Sequence, residues 1–358
     1  MLTPIREELK KLSLDGLLIS DPTNIFYLSG FRPTDSKKKE AFLLISQDQS
    51  FLLLSPLDFH GFRKSQNRIQ KINWNRDKSW SLTLKGLVSD SNIRALGFEA
   101  ESLTVSELKI IRRRTKPTRL KPFPKTIERM RIIKTSPEIK KIKRACQITD
   151  RSFDEILKLI RPGITESEIA HKIEFILMKN GAESSAFKPI VAFGKNAAVP
   201  HYQSGKTKLS TGGLILDFGA RHEGYCADLT RTVYLGNPDS QFRKIYRLVF
   251  EAQEKALTKI KAGMKAKRAD HFCRDLFAQN DLADHFTHST GHGIGLEIHE
   301  GFAVSPYDQT EIVQGMVFTL EPGLYFKNWG GIRIENTVMM GDTEIKSLSS
   351  ADRELICL

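Results

Sequence analysis

The hydrophobic residues in the first third of the chain fall into short runs that predict β-strands. Patterns typical of helices alternate with these runs. The strand-like runs are GLLIS (16–20), AFLLIS (41–46), FLLLS (51–55) and ALGFE (95–99), and the helical patterns cover 3–12, 57–66 and 104–114. The alternation predicts a small α/β domain of about 120 residues.

The rest of the chain begins with helical patterns. Ser136-Pro137-Glu138 predicts a helix start, because Ser can cap the helix, Pro fits its first turn and an acid favours its N-terminus. Thr165 and Glu168 form a capping box for a second helix, which Asn180-Gly181 ends. Further helices are predicted over 240–260 and 269–277.

Proline residues indicate where the first domain ends. Pro117, Pro122 and Pro124 lie in a short polar segment and mark a linker. We therefore predict an N-terminal domain over 1–125 and a second domain over 126–358. The length of 358 residues, with 40% apolar and 27% charged residues, is ordinary for a soluble two-domain protein.

A β-hairpin is predicted in LILDFGARHEGYCADLTRTVYL (214–235). Apolar and β-branched residues flank the turn Glu223-Gly224 on both sides. Folding this segment symmetrically about positions 222 and 223 sets Asp217 opposite Asp228. Two like charges that face each other across strands are destabilising unless a cation lies between them. The pair therefore predicts a cation site.

A second hairpin repeats the arrangement. VFTLEPGLY (317–325) and GIRIENTVMM (331–340) are strand-like runs on either side of a turn at 327–330. Folding symmetrically about this turn sets Glu321 opposite Glu335. Two facing acidic pairs on apolar strands are hard to explain as exposed surface groups, so both pairs point to the same site.

Histidines and glycines crowd the segment HSTGHGIGLEIHE (288–300) between the two hairpins. Glycine lets the backbone pass close to a ligand, and histidine supplies a neutral nitrogen ligand or a proton carrier. With the four carboxylates, His292 completes a hard set of donors that suits two Mn²⁺-like ions better than one zinc ion with thiolates. Two-metal sites of this kind produce hydroxide near neutral pH and polarise a carbonyl.

Four motifs together resemble a known family. They are DFGARHEGYCADLTRT (217–232), GHGIGLEIHE (291–300), TLEPGLY (319–325) and GIRIENT (331–337). The chain resembles the creatinase, prolidase and methionine aminopeptidase family, the pita-bread metallopeptidases, and within it most of all the Xaa-Pro aminopeptidases and Xaa-Pro dipeptidases. The resemblance implies an N-terminal creatinase-like α/β domain, serving as lid and dimer contact, and a C-terminal pita-bread catalytic domain.

The resemblance is strong from about position 133 onward and weaker before it. NIFYLSGF (24–31) resembles the N-terminal domain of the family, and its residues alone are as compatible with an ordinary strand and a turn around Gly30. The prediction of the first domain therefore depends more on its α/β pattern than on its motifs.

The resemblance also implies the metal ligands. Asp217 would bind one ion, and Asp228 and Glu335 would bridge two. His292 would bind the other ion. Glu321 would be a ligand and also the group that moves a proton from the metal-bound water to the leaving nitrogen. The implied cofactors are two divalent ions, Mn²⁺ first, with Co²⁺ or Zn²⁺ as alternatives.

Three histidines match residues on the substrate side of the family's site. His201 lies ahead of the first ligand and is expected to contact the substrate. His288 matches a second substrate-side histidine. His299 is expected to face the substrate carbonyl and to stabilise the tetrahedral oxyanion.

Two residues beside the ligands complete the expected site. Arg333 shares a strand face with Glu335 because the two are two positions apart, so we expect it to orient that carboxylate or Asp228. The family's common IED is IEN here, and Asn336 therefore replaces an acid. This departure is expected to weaken the charge around the ligands and to alter the metal preference.

The implied function is hydrolysis of the Xaa–Pro bond at the N-terminus of short peptides, with a metal-bridging hydroxide as nucleophile. Aminopeptidase and dipeptidase specificity both remain open. The alternatives are a methionine aminopeptidase-like or creatinase-like hydrolase, or a non-catalytic pita-bread binding protein. The implied partners are short proline-containing peptides and a second copy of the chain in a homodimer.

The net charge and the cysteines bear on the partners and the cellular compartment of the protein. The net charge of +13 is concentrated in 109–143, but this segment lacks interleaved aromatics and any recognised motif, which favours a solvated basic face over a nucleic-acid site. The four cysteines form no CxxC pair, which favours reduced thiols in a cytoplasm. No apolar run approaches 18 residues, so we expect no membrane-spanning helix. The N-terminus is charged and amphipathic, unlike a signal peptide.

Overall fold

The computed structural model describes residues 1–33, 41–62, 67–75 and 78–358. The chain divides into two compact units, Met1–Met130 and Arg131–Leu358. The elements of the first unit are α1 (Thr3–Lys11), β1 (Gly16–Ile19), α2 (Pro22–Ser29), β2 (Ala41–Ser46), β3 (Ser50–Leu54), α3 (Pro56–Phe59), β4 (Gln70–Asn73), α4 (Trp80–Asp90), β5 (Ala95–Phe98), α5 (Val105–Arg114) and β6 (Arg119–Pro122). The strands form one mixed six-stranded sheet with the order β4-β3-β2-β1-β5-β6.

The four strands predicted in the first unit are all present, as β1, β2, β3 and β5. Each is buried at every position, which is why each is a continuous apolar run in the sequence rather than an alternation. The outer strands β4 and β6 carry polar, partly exposed residues and gave no such signal. Pro122, predicted to lie in a linker, ends β6, where an edge position tolerates the missing N–H.

Two local interpretations in the first unit can be compared with the structure. For the segment 24–31 the alternative of a strand is wrong: residues 24–29 belong to helix α2, which Asp21 caps through a 2.9 Å bond from the Asn24 N–H. Gly30, with φ of +79°, ends this helix in the left-handed conformation. Of the helix predicted over 57–66, positions 63–66 lie outside the described residues, and the described part is the single turn α3.

The second unit combines long helices with several short sheets. Helix α6 (Thr126–Ile132) crosses the boundary between the units. The elements that follow are α7 (Ser136–Leu157), α8 (Glu166–Lys179), β7 (Ser184–Ser185), β8 (Ile190–Phe193), β9 (Gly212–Phe218), β10 (Ala220–His222), β11 (Tyr225–Cys226), β12 (Leu229–Leu235), α9 (Ser240–Lys259), α10 (Ala266–Ala278), β13 (Gly291–His292), β14 (Ala303–Val304), β15 (Val317–Leu320), β16 (Gly323–Phe326), β17 (Gly330–Arg333), β18 (Asn336–Met340) and β19 (Ile345–Ser347).

The predicted helix starts are nearly correct. Thr165 caps α8 as predicted, and Glu168 completes the capping box. The cap of α7 is Thr135, one residue before the predicted cap Ser136. Helix α9 begins at Ser240 as predicted, and its cap is Asp239, which accepts from the Phe242 N–H at 2.7 Å. The buried face of α9 packs in one apolar cluster with strands β15 and β18, so this helix supports the second hairpin from below.

The first hairpin has a different register from the prediction. Asp217 on β9 pairs with Thr230 on β12, and not with Asp228. Glu223 and Gly224, with φ of +45° and +86°, form the two-residue turn, so the hairpin is centred between them. The centre of the hairpin thus lies one residue further along the chain than predicted. Each residue of β9 therefore pairs with a residue of β12 two positions beyond the predicted one. Because side chains alternate between faces, Asp228 keeps the face expected of it.

The second hairpin has the predicted register. Leu320 pairs with Asn336 and Gly323 pairs with Arg333, which sets Glu321 level with Glu335. Ladder pairing is interrupted between these two pairs, where Pro322 occupies one strand. The two glutamates thus lie at a break between β15–β18 and β16–β17 rather than inside a continuous ladder.

The remaining sequence-level expectations concern cysteines and the membrane. All four cysteines are free thiols, and Cys146, Cys226 and Cys273 are buried. Burial raises the pKa of each of these three thiols to about 12, which makes them inert packing groups. Among the helices in the described part of the chain, none combines the length and the apolar character needed to cross a bilayer.

We predict that Gly219→Ala destabilises the second unit by about 3 kcal/mol or more. A Cβ at this position would lie 1.7 Å from the Ala227 carbonyl oxygen, so backbone atoms of the first hairpin would have to move. Gly86→Ala in α4 is the matched control, because its methyl group meets only the flexible end of Lys78, at 4.0 Å. Removing a helical glycine should raise the unfolding free energy by up to about 1 kcal/mol.

The measurement is calorimetric unfolding of both variants in a chelator, so that metal affinity does not enter. Equal unfolding temperatures for Gly219→Ala and the wild type would contradict the close approach of the two hairpin strands at this position.

Candidate metal centre

A cavity of about 750 Å³ in the second unit contains the whole predicted site. The residues predicted from sequence all contribute to its wall: His201, Asp217, Asp228, His288, His292, His299, Glu321, Arg333 and Glu335. They come from segments more than 130 positions apart, so the fold itself assembles the group. The structure therefore brings every one of these residues to one place.

Interrupted strands aim the acids into the cavity. Asp228 directly precedes β12, and its backbone N–H and carbonyl both bond to the Thr337 hydroxyl, at 3.1 and 2.9 Å. Glu335 lies between β17 and β18, with its N–H bonded to the Thr230 carbonyl at 3.0 Å. Each acid is thus fixed by the neighbouring hairpin at a point where regular pairing stops.

His292 reaches the same point from the glycine-rich segment. Its N–H bonds to Thr319 on β15 at 3.0 Å, and a Cβ on Gly291 would lie 1.9 Å from the Thr319 carbonyl oxygen. Only glycine allows this close approach. The His292 Nε2 atom lies 3.5 Å from one oxygen of Asp228 and 3.5 Å from one oxygen of Glu321.

Three of the five predicted ligands form the tightest group. Asp228, His292 and Glu335 each offer one donor atom, and these atoms all lie within 4.8 Å of one another. Glu321 adjoins the group through His292. Asp217 is on the same wall of the cavity, with one of its oxygens directed to Arg333.

Two buried oxygens show that this group fits a metal ion. Within the described residues, Asp228 Oδ1 and Glu335 Oε1 have no hydrogen-bond partner, although Asp228 is only 5% exposed and Glu335 only 2% exposed. Buried carboxylate oxygens without a partner are rare, because desolvation without compensation is costly. Hard oxygen donors beside one imidazole are the set that a divalent cation prefers.

The proton affinities of the acids agree with this interpretation. Burial raises the pKa of Asp228 and of Glu335 well above the ordinary values, and the neighbouring carboxylates raise both further. Burial also raises the pKa of Asp217, although Arg333 opposes the shift. A divalent cation among these groups would favour their ionised forms and reverse the shifts.

Arg333 does not orient the acids that we expected. Its Nη2 donates to Asp217 at 2.5 Å, and neither Glu335 nor Asp228 is among its ion-pair partners in the described residues. The spacing of two puts residues on one face only in a continuous strand, and β17 ends at Arg333. Burial lowers the pKa of Arg333, but Tyr325 and Asp217 raise it more, so the guanidinium stays charged.

The three histidines lie around the acids. The Nε2 atom of His288 forms a 2.9 Å hydrogen bond with the Tyr325 hydroxyl. Burial lowers the pKa of the His288 ring. The rings of His299 and His292 are 4.1 Å apart, and the pKa of His299 is lowered by burial and then by His292. His201 lies on an exposed loop at the cavity wall. Both shifts favour the neutral form of these rings.

Sequence reasoning missed several residues that hold this site. Gln253 of α9 is fully buried and donates to the carbonyls of Leu320 and Ile334, at 3.0 and 3.1 Å, directly before Glu321 and Glu335. A polar residue on an otherwise apolar helix face was the only signal for it. Tyr325 was also missed: its hydroxyl accepts a hydrogen bond from Arg333 at 2.7 Å, and burial raises its pKa to about 12.

A buried ion cluster supports the loop that carries His299. Glu300 lies in the cavity wall and contacts Arg131 at 2.6 Å and Lys134 at 2.9 Å. Burial raises the pKa of Glu300, but the two cations lower it more. Its partners are 166 or more positions away in the chain, so no local pattern indicated them.

Asn336 has a defined place beside the ligands. Its Oδ1 accepts from Arg231 at 3.0 Å, and its Nδ2 donates to the Ser347 hydroxyl at 2.8 Å. An aspartate could accept from Arg231 but could not donate to Ser347 as an amide does. The amide is thus matched to these two neighbours, and within the described part of the chain its side chain has no hydrogen bond to the candidate ligands Asp228 and Glu335.

Buried carboxylates around an imidazole, in a cavity built on interrupted hairpins, define the class of a metal-dependent enzyme. Comparison with known proteins agrees with this. The chain matches metallopeptidase family M24 over residues 140–342 and the creatinase/prolidase N-terminal domain over residues 1–133. The chain belongs to metallopeptidase family M24, and the predicted α/β fold with these two domains is confirmed.

Individual relatives cover the whole chain. A Xaa-Pro dipeptidase of Pyrococcus furiosus is 34% identical over 360 residues, covering 98% of this chain and 100% of that protein. The structure of a Xaa-Pro dipeptidase from Bacillus anthracis has a TM-score of 0.95 at 33% identity, covering 100% of this chain and 99% of the other. An X-Pro aminopeptidase from Thermotoga maritima has a TM-score of 0.89 at 31% identity, covering 98% and 100%.

We predict that Asp228→Asn stabilises the metal-free protein increasingly as the pH rises from about 5 to about 8, by on the order of 1 kcal/mol or more. An acid with a raised pKa keeps its proton in the folded state to a higher pH than in the unfolded chain. Wild-type stability is therefore lost as the pH rises above the unfolded value and through the folded pKa. The asparagine cannot ionise and escapes this loss.

The measurement is chemical unfolding of both proteins in a chelator across this pH range. Added Mn²⁺ should reverse the order, stabilising the wild type more than the variant. Asp275→Asn, at an exposed acid of α10, is the control and should show no such pH dependence. A constant difference between Asp228→Asn and the wild type would contradict a raised pKa at this position.

Proposed function

We propose that this protein is a binuclear metal-dependent exopeptidase that hydrolyses the Xaa–Pro bond at the N-terminus of short peptides. The observation that carries the proposal is the pair of buried acids, Asp228 and Glu335, each with one unpartnered oxygen beside His292 in a cavity. Relatives of similar length that are named Xaa-Pro dipeptidases or X-Pro aminopeptidases support the substrate class.

The five acceptor residues would hold two divalent ions, Mn²⁺ first and Co²⁺ or Zn²⁺ as alternatives: Asp217, Asp228, His292, Glu321 and Glu335. When bound, such a pair of ions lowers the pKa of water enough to supply a nucleophile near neutral pH and polarises the substrate carbonyl. Arg333 holds one oxygen of Asp217 at 2.5 Å, which limits how that carboxylate can turn. In this proposal Arg333 orients a ligand.

Glu321 is suited to proton transfer. Its side chain is 18% exposed, more than that of Asp228 or Asp217, and so it can meet both the water and the substrate. The nitrogen of an Xaa–Pro bond has no hydrogen, and it leaves as a secondary amine only if it gains a proton. We propose that Glu321 accepts the proton of the attacking water and delivers it to the proline nitrogen.

The histidines act on the substrate side. His299, neutral and adjacent to His292, can donate its ring N–H to the oxyanion that forms at the scissile carbonyl. His201 contacts the substrate from the loop, and His288 is held by Tyr325 on the same wall. The apolar side chains of Phe187 and Ile190 in that wall offer a surface for the proline ring.

The choice between dipeptidase and aminopeptidase needs a substrate test, because relatives of both kinds are similarly close at 33% and 31% identity. We propose that the protein forms a homodimer, as the resemblance implies. Light scattering in solution measures this directly, and a molar mass equal to the 40.6 kDa chain would contradict it.

We predict that metal-stripped protein regains cleavage of Ala-Pro when Mn²⁺ or Co²⁺ is restored, and that Asp228→Ala and Glu335→Ala abolish it. Removing either acid leaves the site short of a ligand, which should lower kcat by a factor of about 1,000 or more. The measurement is release of free proline together with metal content by elemental analysis. Asp275→Ala, on an exposed acid of α10, is the matched control and should keep full activity.

Substrate length and sequence test the specificity. Ala-Pro-Ala is cleaved only by an aminopeptidase, and Met-Ala-Ser tests the methionine aminopeptidase alternative. Rapid release of Met from Met-Ala-Ser with the proline peptides intact would overturn the proposed specificity.

A further inference from the structure

One buried acid of the second unit lies outside the cavity wall and below the loop that carries His201. Glu166 is the first residue of α8 and is fully buried. We call residues 194–207, which follow β8 and include His201, the His201 loop. Both oxygens of Glu166 are directed to this loop and its first flank, so the acid has no role in ligand binding as described above.

Four donors surround the Glu166 carboxylate. Its Oε1 accepts from the Phe193 N–H at 2.8 Å and from Asn196 Nδ2 at 2.9 Å. Its Oε2 accepts from the Tyr202 hydroxyl at 2.9 Å and from the Gly205 N–H at 3.1 Å. Tyr202 directly follows His201. The carboxylate thus fixes the loop on both sides of the histidine.

The negative charge of Glu166 is what makes these bonds strong. All four donors are neutral, and N–H groups bond a carboxylate about twice as strongly as they bond a neutral acceptor. The N-terminus of α8 favours an acid at this position. Its first N–H groups also bond back to the loop, from Glu166 to the Thr207 carbonyl and from Ser167 to the Gly205 carbonyl.

The opposite side of the His201 loop packs on β17. A Cβ on Gly330 would lie 2.7 Å from the Gly194 carbonyl oxygen, and one on Gly331 would lie 2.1 Å from the Ala197 carbonyl oxygen. Arg333 of the same strand lies 3.5 Å from the Pro200 carbonyl oxygen. The loop is therefore held between the Glu166 carboxylate and the strand that leads to the metal centre.

We propose that Glu166 is a positioning residue that sets where His201 stands over the substrate. The inference rests on the proposed function, in which His201 contacts the substrate. Each oxygen of Glu166 faces a backbone N–H, which can only donate. A glutamine at this position must present its NH₂ group to one of these N–H groups, whichever way it turns, and the loop must shift to relieve the contact.

The central variant is Glu166→Gln, with Glu168→Gln as the matched control. The control makes the same charge change two positions along α8, at an exposed acid whose carboxylate bonds to Thr165 and to no other residue of the described ranges. Glu166→Gln should lower kcat/KM for Ala-Pro by about 100-fold, because a displacement of about 1 Å can cost that much. Metal content should stay unchanged, and Glu168→Gln should keep wild-type kinetics.

A second variant covers the case in which Glu166→Gln fails to fold. Tyr202→Phe removes one of the four donors and leaves the acid in place, so it should lower kcat/KM in the same direction by a smaller factor. Hydrogen exchange followed by mass spectrometry measures the loop without any activity. Exchange over 194–207 should rise in Glu166→Gln and remain unchanged in Glu168→Gln.

A double-variant cycle tests whether Glu166 acts through the histidine. His201→Ala alone should reduce activity, and adding Glu166→Gln to it should reduce activity no further. Additive losses, an inactive Glu166→Gln beside a fully active His201→Ala, or unchanged loop exchange would each overturn the inference. If exchange over 194–207 differs between the variants as expected but the wild-type protein cleaves no proline peptide, the proposed function is wrong. The conclusion that Glu166 holds the His201 loop would still stand.

Discussion

The structure of the second unit depends on how buried negative charge is balanced at the candidate metal centre. Asp217, Asp228 and Glu335 are buried in one cavity wall, and Arg333 is the cation that contacts one of them. Desolvation of an ionised carboxylate is costly, and each further acid of the same sign adds to the cost. The pKa values of these acids are raised because a bound proton removes the buried charge and with it the cost of desolvation. Divalent cations at this candidate site would balance the same charge without protons, so the stability of the second unit would depend on metal binding.

The architecture around the site follows from this requirement. An acid inside a regular ladder points to one face and is crowded by its neighbours, whereas an acid at an interruption can turn towards a ligand. Asp228 lies just before β12, and Glu335 lies between β17 and β18. Threonine hydroxyls and Gln253 bond the backbone groups freed at these breaks. The breaks are therefore well supported, which keeps the donors in place before any ion arrives.

Sequence patterns predicted the parts of this design that are local. The register of the second hairpin was readable because its turn is symmetric, and the capping box of α8 was readable from Thr165 and Glu168. In the first hairpin the predicted partner of Asp217 was wrong by two positions. The two-residue turn requires positive φ at both of its residues, and these are Glu223 and Gly224. Helix α2 could not be told from a strand because nearly every residue from Asn24 to Ser29 is buried, which leaves no polar face to show a helical period.

The parts that sequence could not supply are contacts between distant segments. The pairing of Arg333 with Asp217 joins residues 116 positions apart, and the pairing of Glu300 with Arg131 joins residues 169 positions apart. No periodicity encodes such distances. The spacing of two from Glu335 predicted that Arg333 belongs to the site, but it assigned Arg333 the wrong partner because the strand ends at that residue.

Three buried acids of the second unit differ in whether both carboxylate oxygens have partners. Glu300 is balanced by Arg131 and Lys134, and Glu166 is balanced by neutral donors at a helix N-terminus. Both have partners on each oxygen, as expected of groups that hold a fold together. Glu335 differs, since Thr230 donates to one oxygen while the other has no partner among the described residues. Burial alone therefore does not distinguish a candidate ligand in this protein. Glu335 is distinguished by a buried oxygen without a partner among the described residues, on a side chain that lines the cavity together with His292.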